Sequence, residues 1–323
     1  MMIRLLENET LDSFVSRFHF VSCSQSIKAT KVTLFGSSKD YNDFWVSRRL
    51  INVAELIRGK GVEELNSILL NHTIFPIFSV LNGLSADFIS GLLVSSDKSR
   101  LLRRFEHLPD FEMSNACISC GKNDLALAGY SYFHINHQVP GVKACHKHGE
   151  VLICSCPSCG RKFNKINNLY LSRWFSCSCG WQVVEDGVPE PADSFDVSYS
   201  RFCNELLRCH NLFDQVKLSD YLHGILTGCC ESNSVGLSKK ISWLRRVASS
   251  VGESAFERFF GFKIDSVDDD FFEGVEFGSD LKASLFMLFC ILGGEEDLYN
   301  LVDLCAQLYD SELDDLRVFL ESM

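Results

Sequence analysis

Apolar residues recur at helical spacing in the first third of the chain. Leu11, Phe14, Val15 and Phe18 stand at i, i+3, i+4 and i+7, which puts them on one helical face. Asp12 and Ser13 sit near its start, where capping residues belong. A second amphipathic stretch runs from Phe44 through Leu50, Ile51, Ala54 and Ile57, and Gly59 and Gly61 stop it. Val62 to Leu70 and Asp87 to Val94 give two shorter helices, separated by Phe75-Pro76 and Asn82-Gly83. Together they predict an N-terminal helical region over 1–112, compatible with a helix-turn-helix and equally with any small bundle. The pattern turns helical again over 192–323. There Ser254-Ala-Phe-Glu257 reads as a capping box, Ser311 precedes Glu312 and Asp314 in a similar first-turn arrangement, and Phe256, Phe259 and Phe260 read as core.

Between these regions, over 113–186, the periodicity disappears, and Cys, Gly, Pro and aromatic residues take over. A segment so poor in apolar runs cannot hold itself by a core, so bound metal is expected to supply its stability. Two ligand sets stand out. Cys117-x2-Cys120 is followed by Cys145-x2-His148, and Cys156-x2-Cys159 by Cys177-x-Cys179. One or two residues between donors let a tight knuckle bring both to one tetrahedral ion. Gly121, Gly160 and Gly180 each follow a pair and are expected to supply a positive φ, and Pro157 pre-sets its knuckle. Two assignments stay open: Cys154 could replace Cys156, and His146 could compete with His148. Val183 to Pro191 reads as a linker. The fold class expected is mainly α, with a double zinc-finger module of little regular structure between two helical regions.

Composition narrows the chemistry. The chain has 323 residues, 46% of them hydrophobic, enough for about two domains with sizeable cores. No run of 18 apolar residues appears, and Leu281 to Leu292 is broken by Lys282 and Ser284, so no membrane span is expected. Arg4 is followed at once by Glu7, Glu9 and Asp12 without an apolar h-region, unlike a signal peptide, which points to a reducing cytoplasm. There, eight of fifteen cysteines within 63 residues mean metal and not cross-links. The others (Cys23, Cys203, Cys209, Cys229, Cys230, Cys290, Cys305) are expected to be small buried hydrophobes.

Each set fills with four protein donors, leaving no open position for a catalytic water. His148-Gly-Glu150 before Cys156-x2-Cys159 shares residue types with the zinc deaminase signature. That chemistry needs its halves on separate helices, and five residues cannot supply them. Asp268-Asp269-Asp270 could suggest a metal-dependent nuclease, but three adjacent carboxylates cannot all face one ion, and a solvated run is the better reading. No Walker loop, nucleophile elbow or His-Glu-x-x-His occurs, so no enzyme is expected.

Charge divides the chain. Residues 1–182 hold 20 Lys+Arg against 15 Asp+Glu, a net +5, and residues 183–323 hold 11 against 27, a net −16. The acidic half repels phosphate backbones and points to protein partners, whereas the front half tolerates nucleic acid. In the module, Tyr130, Tyr132, Phe133, His134, His137, Trp174 and Trp181 interleave with Lys143, Lys147, Arg161, Lys162, Lys165 and Arg173. The basic residues suit a nucleic-acid or acidic protein surface, and about half the rings are expected simply to pack over the metal knuckles.

Three stretches bring a family into view. Glu9-Thr-Leu-Asp-Ser-Phe-Val-Ser-Arg17 resembles the opening helix of the TniQ/TnsD family, the target-selection proteins of bacterial transposons. His72-Thr-Ile-Phe-Pro76 resembles a short block of TnsD-type members. The run His137-Gln-Val-Pro-Gly-Val-Lys-Ala-Cys-His-Lys-His-Gly-Glu-Val-Leu152, with Cys-Ser-Cys-Pro-Ser-Cys-Gly160 close behind, is similar to the family's central zinc-finger signature. The resemblance covers about residues 1–182. It implies a helix-turn-helix region joined to a zinc-finger domain in a protein that cuts no DNA, and the two ligand sets above predict two zinc ions per chain. It further implies recruitment of a AAA+ ATPase regulator of transposition. TnsD-type members read an attachment site directly. TniQ-type members of RNA-guided transposons form homodimers and dock on a CRISPR Cascade effector with its guide RNA. The short chain and its acidic second half favour the Cascade-bound adaptor.

Overall fold

The computed structural model describes residues 4–36, 50–58, 61–82, 84–94, 114–163, 176–208, 245, 248–249, 251–261, 263 and 281–291. Among them are eleven α-helices and one short 3-10 turn, with β-structure confined to isolated bridges. None of these helices is long and apolar enough to cross a membrane. Phe44, Asp268-Asp269-Asp270, Ser311 and Cys209, Cys229, Cys230 and Cys305 lie outside the described residues.

The chain divides into two compact units, Met1–Pro76 with Ser85–Ser200, and Ile77–Leu84 with Arg201–Met323. The first unit contains the N-terminal helices, apart from residues 77–84, and the cysteine module. It opens with α1 (Leu11–Val21), whose N-cap Thr10 accepts a hydrogen bond from Ser13 N–H at 3.2 Å. Leu11, Phe14 and Val15 are buried as their spacing requires. Helix α2 (Ile27–Phe35) is capped by Ser26 and ends on left-handed Gly36. Helices α3 (Leu50–Arg58), α4 (Gly61–His72) and α6 (Ala86–Val94) follow, with α5 (Phe75–Asn82) between the last two. Contacts run from α1 to α2, α2 to α3, α3 to α4 and α4 to α6. Gly61 does not stop a helix but begins one.

Two N-terminal helices escape the periodicity argument. In α2, Lys31 is buried beside Leu34 and Phe35, so the buried face does not read as apolar. In α5, Pro76 occupies the first turn, where its missing N–H is not needed, so a residue expected to separate helices is inside one. Thr73 Oγ1 accepts the free N–H of Phe75 at 3.0 Å.

The cysteine module carries α7 (Ile118–Ala128), the 3-10 turn Ile135–Gln138 and α8 (Val183–Asp186). It has a small core of its own: Ala116, Ile118, Cys156, Phe163, Trp181 and Val183, with Leu125, Phe133 and Ile153 against it. Stability there does not rest on metal alone. Nor is Val183 to Pro191 a free linker. Val183 is fully buried, Val151 N–H donates to Glu190 O at 2.8 Å, and Ala192 N–H to Gly149 O at 2.8 Å. Helix α9 (Ser194–Arg208) then begins, and Tyr199 Oη–H and Ser200 Oγ–H tie it to the carbonyls of Pro140 and Ala144.

In the second unit, α10 (Glu253–Phe260) and α11 (Leu281–Ile291) pack through aromatic rings. Phe259 stacks on Phe286 at 4.1 Å, and Phe202 meets Phe289 edge-on at 5.3 Å. The expected capping box at Ser254 does not form: the N-cap is Gly252, which has no side chain to cap the helix. Cys203 is buried and Cys290 partly so, but Cys23 is exposed, in a left-handed turn after α1, and is no core residue.

Candidate metal centres

Three hairpin-like knuckles are built alike. Gly149, Gly160 and Gly180 N–H donate back to the carbonyls of Cys145, Cys156 and Cys177. Bridges Ala144–Val151, Ser155–Lys162 and Ser176–Gln182 close the three loops. The glycines hold φ of 65°, 69° and 101°, the left-handed corner each knuckle requires. The Cys117/Cys120 pair is built differently. Cys117 is the N-cap of α7, and its Sγ accepts from Cys120 N–H at 3.3 Å. Gly121 lies within the helix and has no positive φ, so the left-handed glycine of the first set is Gly149.

The knuckles bring donor atoms together in two groups, Cys117/Cys120/Cys145/His148 and Cys156/Cys159/Cys177/Cys179, each with all ligand atoms within 4.8 Å. His148 Nδ1 stands 3.3, 3.4 and 3.5 Å from the sulfurs of Cys117, Cys120 and Cys145, and Cys120 and Cys145 Sγ are 3.7 Å apart. In the second group, Cys156 and Cys179 Sγ are 3.7 Å apart, and Cys159 and Cys177 Sγ 3.6 Å. Sulfurs about 2.3 Å from a tetrahedral ion stand roughly 3.8 Å apart, and sulfur and imidazole nitrogen about 3.6 Å. The residues fit such an ion in both groups, and each group can hold one. Each group offers four protein donors.

Cys154 belongs to neither group; its carbonyl accepts from Phe163 N–H at 2.9 Å. His146 is grouped with His137 and Cys145 and not with the first set.

The surroundings of the two centres differ. The three cysteines of the first are buried, with Leu152 against them, whereas Cys159 and Cys179 of the second are exposed. Crowded sulfurs share protons unevenly: hydrogen bonding from Cys117 and Cys120 holds the Cys145 thiol far below its ordinary value, while Cys120 and Cys145 push Cys117 up. Cys179 falls to about 6, chiefly through a backbone hydrogen bond from Trp181. Thiolate is the form a metal takes. Glu150 caps α7, accepting from Ser119 N–H at 3.2 Å and from the Ser119 hydroxyl, and also lies 3.3 Å from Cys117 Sγ. A carboxylate at a helix N-terminus is stabilised by the exposed amides. The deaminase-like reading of Glu150 finds no support in that role.

Among the described residues, the interleaved rings are mostly structural. Phe133 and Trp181 pack into the module core, and Tyr130 lies 5.4 Å under the Arg17 guanidinium. His134 Nε2 meets Asp124 Oδ2 at 2.9 Å, and its ring stacks on Tyr132 at 4.5 Å. Lys143, Lys147, Arg161 and Lys162 are exposed, and Arg161 donates to Ser178 Oγ. Lys165, Arg173 and Trp174 lie outside the described residues.

The module is clamped to α1. Glu9 and His134 form a backbone bridge, Thr10 N–H donates to Phe133 O at 2.9 Å, and Phe133 N–H to Ser13 Oγ at 3.0 Å. Arg17 grips Glu9 with both nitrogens, at 2.9 and 2.6 Å, and reaches Arg4 O at 2.6 Å. His72 Nδ1–H donates to Glu9 O at 2.8 Å. Spacing arguments on the cysteines could not find this clamp; the paired charges Glu9 and Arg17, flanking an apolar helical face, were its only trace.

Residues 1–152 match the family model described as TniQ. The match takes in α1, the clamp and all four donors of the first group, and stops before the second. No curated protein matches the chain.

Proposed function

We propose that this TniQ-domain protein, related through residues 1–152 to the target-selection proteins of transposons, is a non-catalytic adaptor with two structural zinc ions. Support for zinc comes from the donor sets, three sulfurs with one imidazole and four sulfurs, at tetrahedral spacings. Cys117, Cys120, Cys145 and His148 would hold one ion and Cys156, Cys159, Cys177 and Cys179 the other. The ions would lock the knuckles of the module, which meets α1 and its cap through Phe133 and His134. Closed coordination suits scaffolding and leaves no site for a reacting water.

The adaptor reading joins a CRISPR Cascade effector and its guide RNA, at the target site, to a AAA+ regulator of transposition. It treats 1–112, 113–186 and 192–323 as functional segments of a cytoplasmic homodimer. The observation that carries it is the charge division: a TniQ domain within a +5 segment, followed by residues 183–323 at −16. An acidic surface docks on basic protein and is repelled by a duplex. The second reading is a TnsD-like protein that reads an attachment site directly; exposed Lys143, Lys147, Arg161 and Lys162 favour some DNA contact. Tagged chain co-expressed with Cascade and guide RNA is expected to co-purify with both. Recovery without Cascade, together with selective retention of one DNA sequence, would reverse the order.

A further inference from the structure

His137 is 1% exposed and lies beside the first metal group without being one of its four donors. Its Nε2 is 3.9 Å from Cys120 Sγ, and one of its ring nitrogens lies within 4.8 Å of Cys145 Sγ. Its Nδ1 is buried with no hydrogen-bond partner among the described residues. A neutral imidazole carries one N–H. On Nδ1 that hydrogen would be an orphaned buried donor, and Cys120 Sγ would face a lone pair. On Nε2 it meets sulfur.

The backbone holds the ring in place. His137 sits in the 3-10 turn Ile135–Gln138, and Asn115, two residues before Cys117, is stitched to that turn. Asn115 N–H donates to Gln138 Oε1 at 2.9 Å, Gln138 Nε2–H to Asn115 O at 2.8 Å, and Asn115 Nδ2–H to His137 O at 3.1 Å. The ring centroid lies 5.2 Å from that of His134.

We propose that His137 is a positioning residue of the first metal centre, donating Nε2–H to the sulfurs of Cys120 and Cys145. Three thiolates on a divalent ion leave an excess negative charge. A buried N–H aimed at two of them offsets it and fixes the sulfur positions, as outer-shell donors do. The inference rests on reading Cys117, Cys120, Cys145 and His148 as the ligands.

The test uses the full chain, with metal content measured first and cobalt(II) then substituted for zinc. Saturated His137→Leu is expected to hold as many ions as the wild type. Its first centre should lose metal to a competing chelator at 10- to 100-fold lower affinity, with a shifted sulfur-to-cobalt charge-transfer band. His137→Gln, whose amide N–H extends toward the same sulfurs, should recover most of both. His137→Asn, too short to reach them, should behave like the Leu variant and carries the test if that variant does not fold. His146→Gln should match the wild type. Wild-type affinity and band in both the Leu and Asn variants would overturn the proposal. So would loss of a full equivalent in His137→Leu with none lost in His148→Ala, which would make His137 a ligand. A wild type with no ion at the first centre would overturn the ligand reading as well, and the initial metal count separates that case.

Discussion

Glu9 is fully buried, and burial raises its pKa despite the two-pronged grip of Arg17. Breaking a buried pair by removing one partner costs about 3–5 kcal/mol, because the other charge is left uncompensated. Arg17→Ala should therefore destabilise the chain by roughly 3 kcal/mol or more, with added loss where the guanidinium covers Phe14 and Tyr130. Chemical denaturation would measure it; a change within 0.5 kcal/mol would mean that the pair contributes little. Arg17→Met with Glu9→Gln should lose less than Arg17→Ala alone. The metal donors give a sharper contrast. Cys154→Ser should leave metal content unchanged, whereas Cys159→Ser should cost one equivalent, both read by elemental analysis of purified protein. The two sets were legible from sequence because ligand spacing is a local constraint. Choosing His148 over His146 was not, since both neighbour Cys145 and only folding turns Nδ1 of one toward three sulfurs. His137 was invisible as a partner of Cys120, 17 residues earlier, because that contact depends on where Asn115 pins the turn.

Helix α7 shows why the module was harder to read than its ligands. Its N-cap is a cysteine, its first turn contains Gly121, and its buried face includes Asp124, so no apolar stripe announces it. Cysteine takes a capping role usually filled by Ser, Thr, Asp or Asn, because its sulfur is already held as a metal donor would be. Helices α1, α4 and α6 were legible, since each buries one apolar face; α2 and α5 were not, for the buried lysine and the first-turn proline described above. The seam between α7 and α8 supplies a test that ligand chemistry does not touch. Lys122 Nζ donates to Gly187 O at 2.9 Å, and a Cβ on Gly187 would collide with the Val183 carbonyl oxygen and sit 3.0 Å from Ile118 Cγ2. At Gly160 a Cβ would meet nothing within 4 Å, and only the left-handed backbone resists it. Gly160→Ala should cost about 1–2 kcal/mol, and Gly187→Ala more, although its φ is ordinary, because backbone atoms must move. Thermal melts of the two variants would rank them, and the reverse order would discount the seam. Because Phe133 and His134 bind α1 directly, metal removal should loosen more than the knuckles. Hydrogen exchange after chelation is expected to rise at Leu11–Val21 as well as over the cysteine module.

The division of charge bears on what the chain can hold. Each phosphate contact to duplex DNA releases counterions, and a protein making several loses about a thousandfold or more in affinity between low and physiological salt. A sequence reader still keeps tight specific binding under those conditions. Residues 1–182 carry a net charge of only +5, with Lys143, Lys147, Arg161 and Lys162 exposed. Residues 183–323, at −16, repel a duplex that approaches them. The isolated chain should therefore bind DNA no better than roughly micromolar at physiological salt, the range of non-specific contacts, with little preference for sequence. Opposite charge speeds docking on a basic protein and fixes its orientation. Charge reversal at Glu295, Glu296 and Asp297, which lie outside the described residues, should then weaken capture of Cascade while the metal content stays unchanged. Fluorescence anisotropy over a salt series, on random and transposon-flanking duplexes, would measure the first expectation, and pull-down of Cascade the second. Nanomolar binding confined to one duplex would make the chain a direct reader of its target, with the acidic half turned away from the DNA.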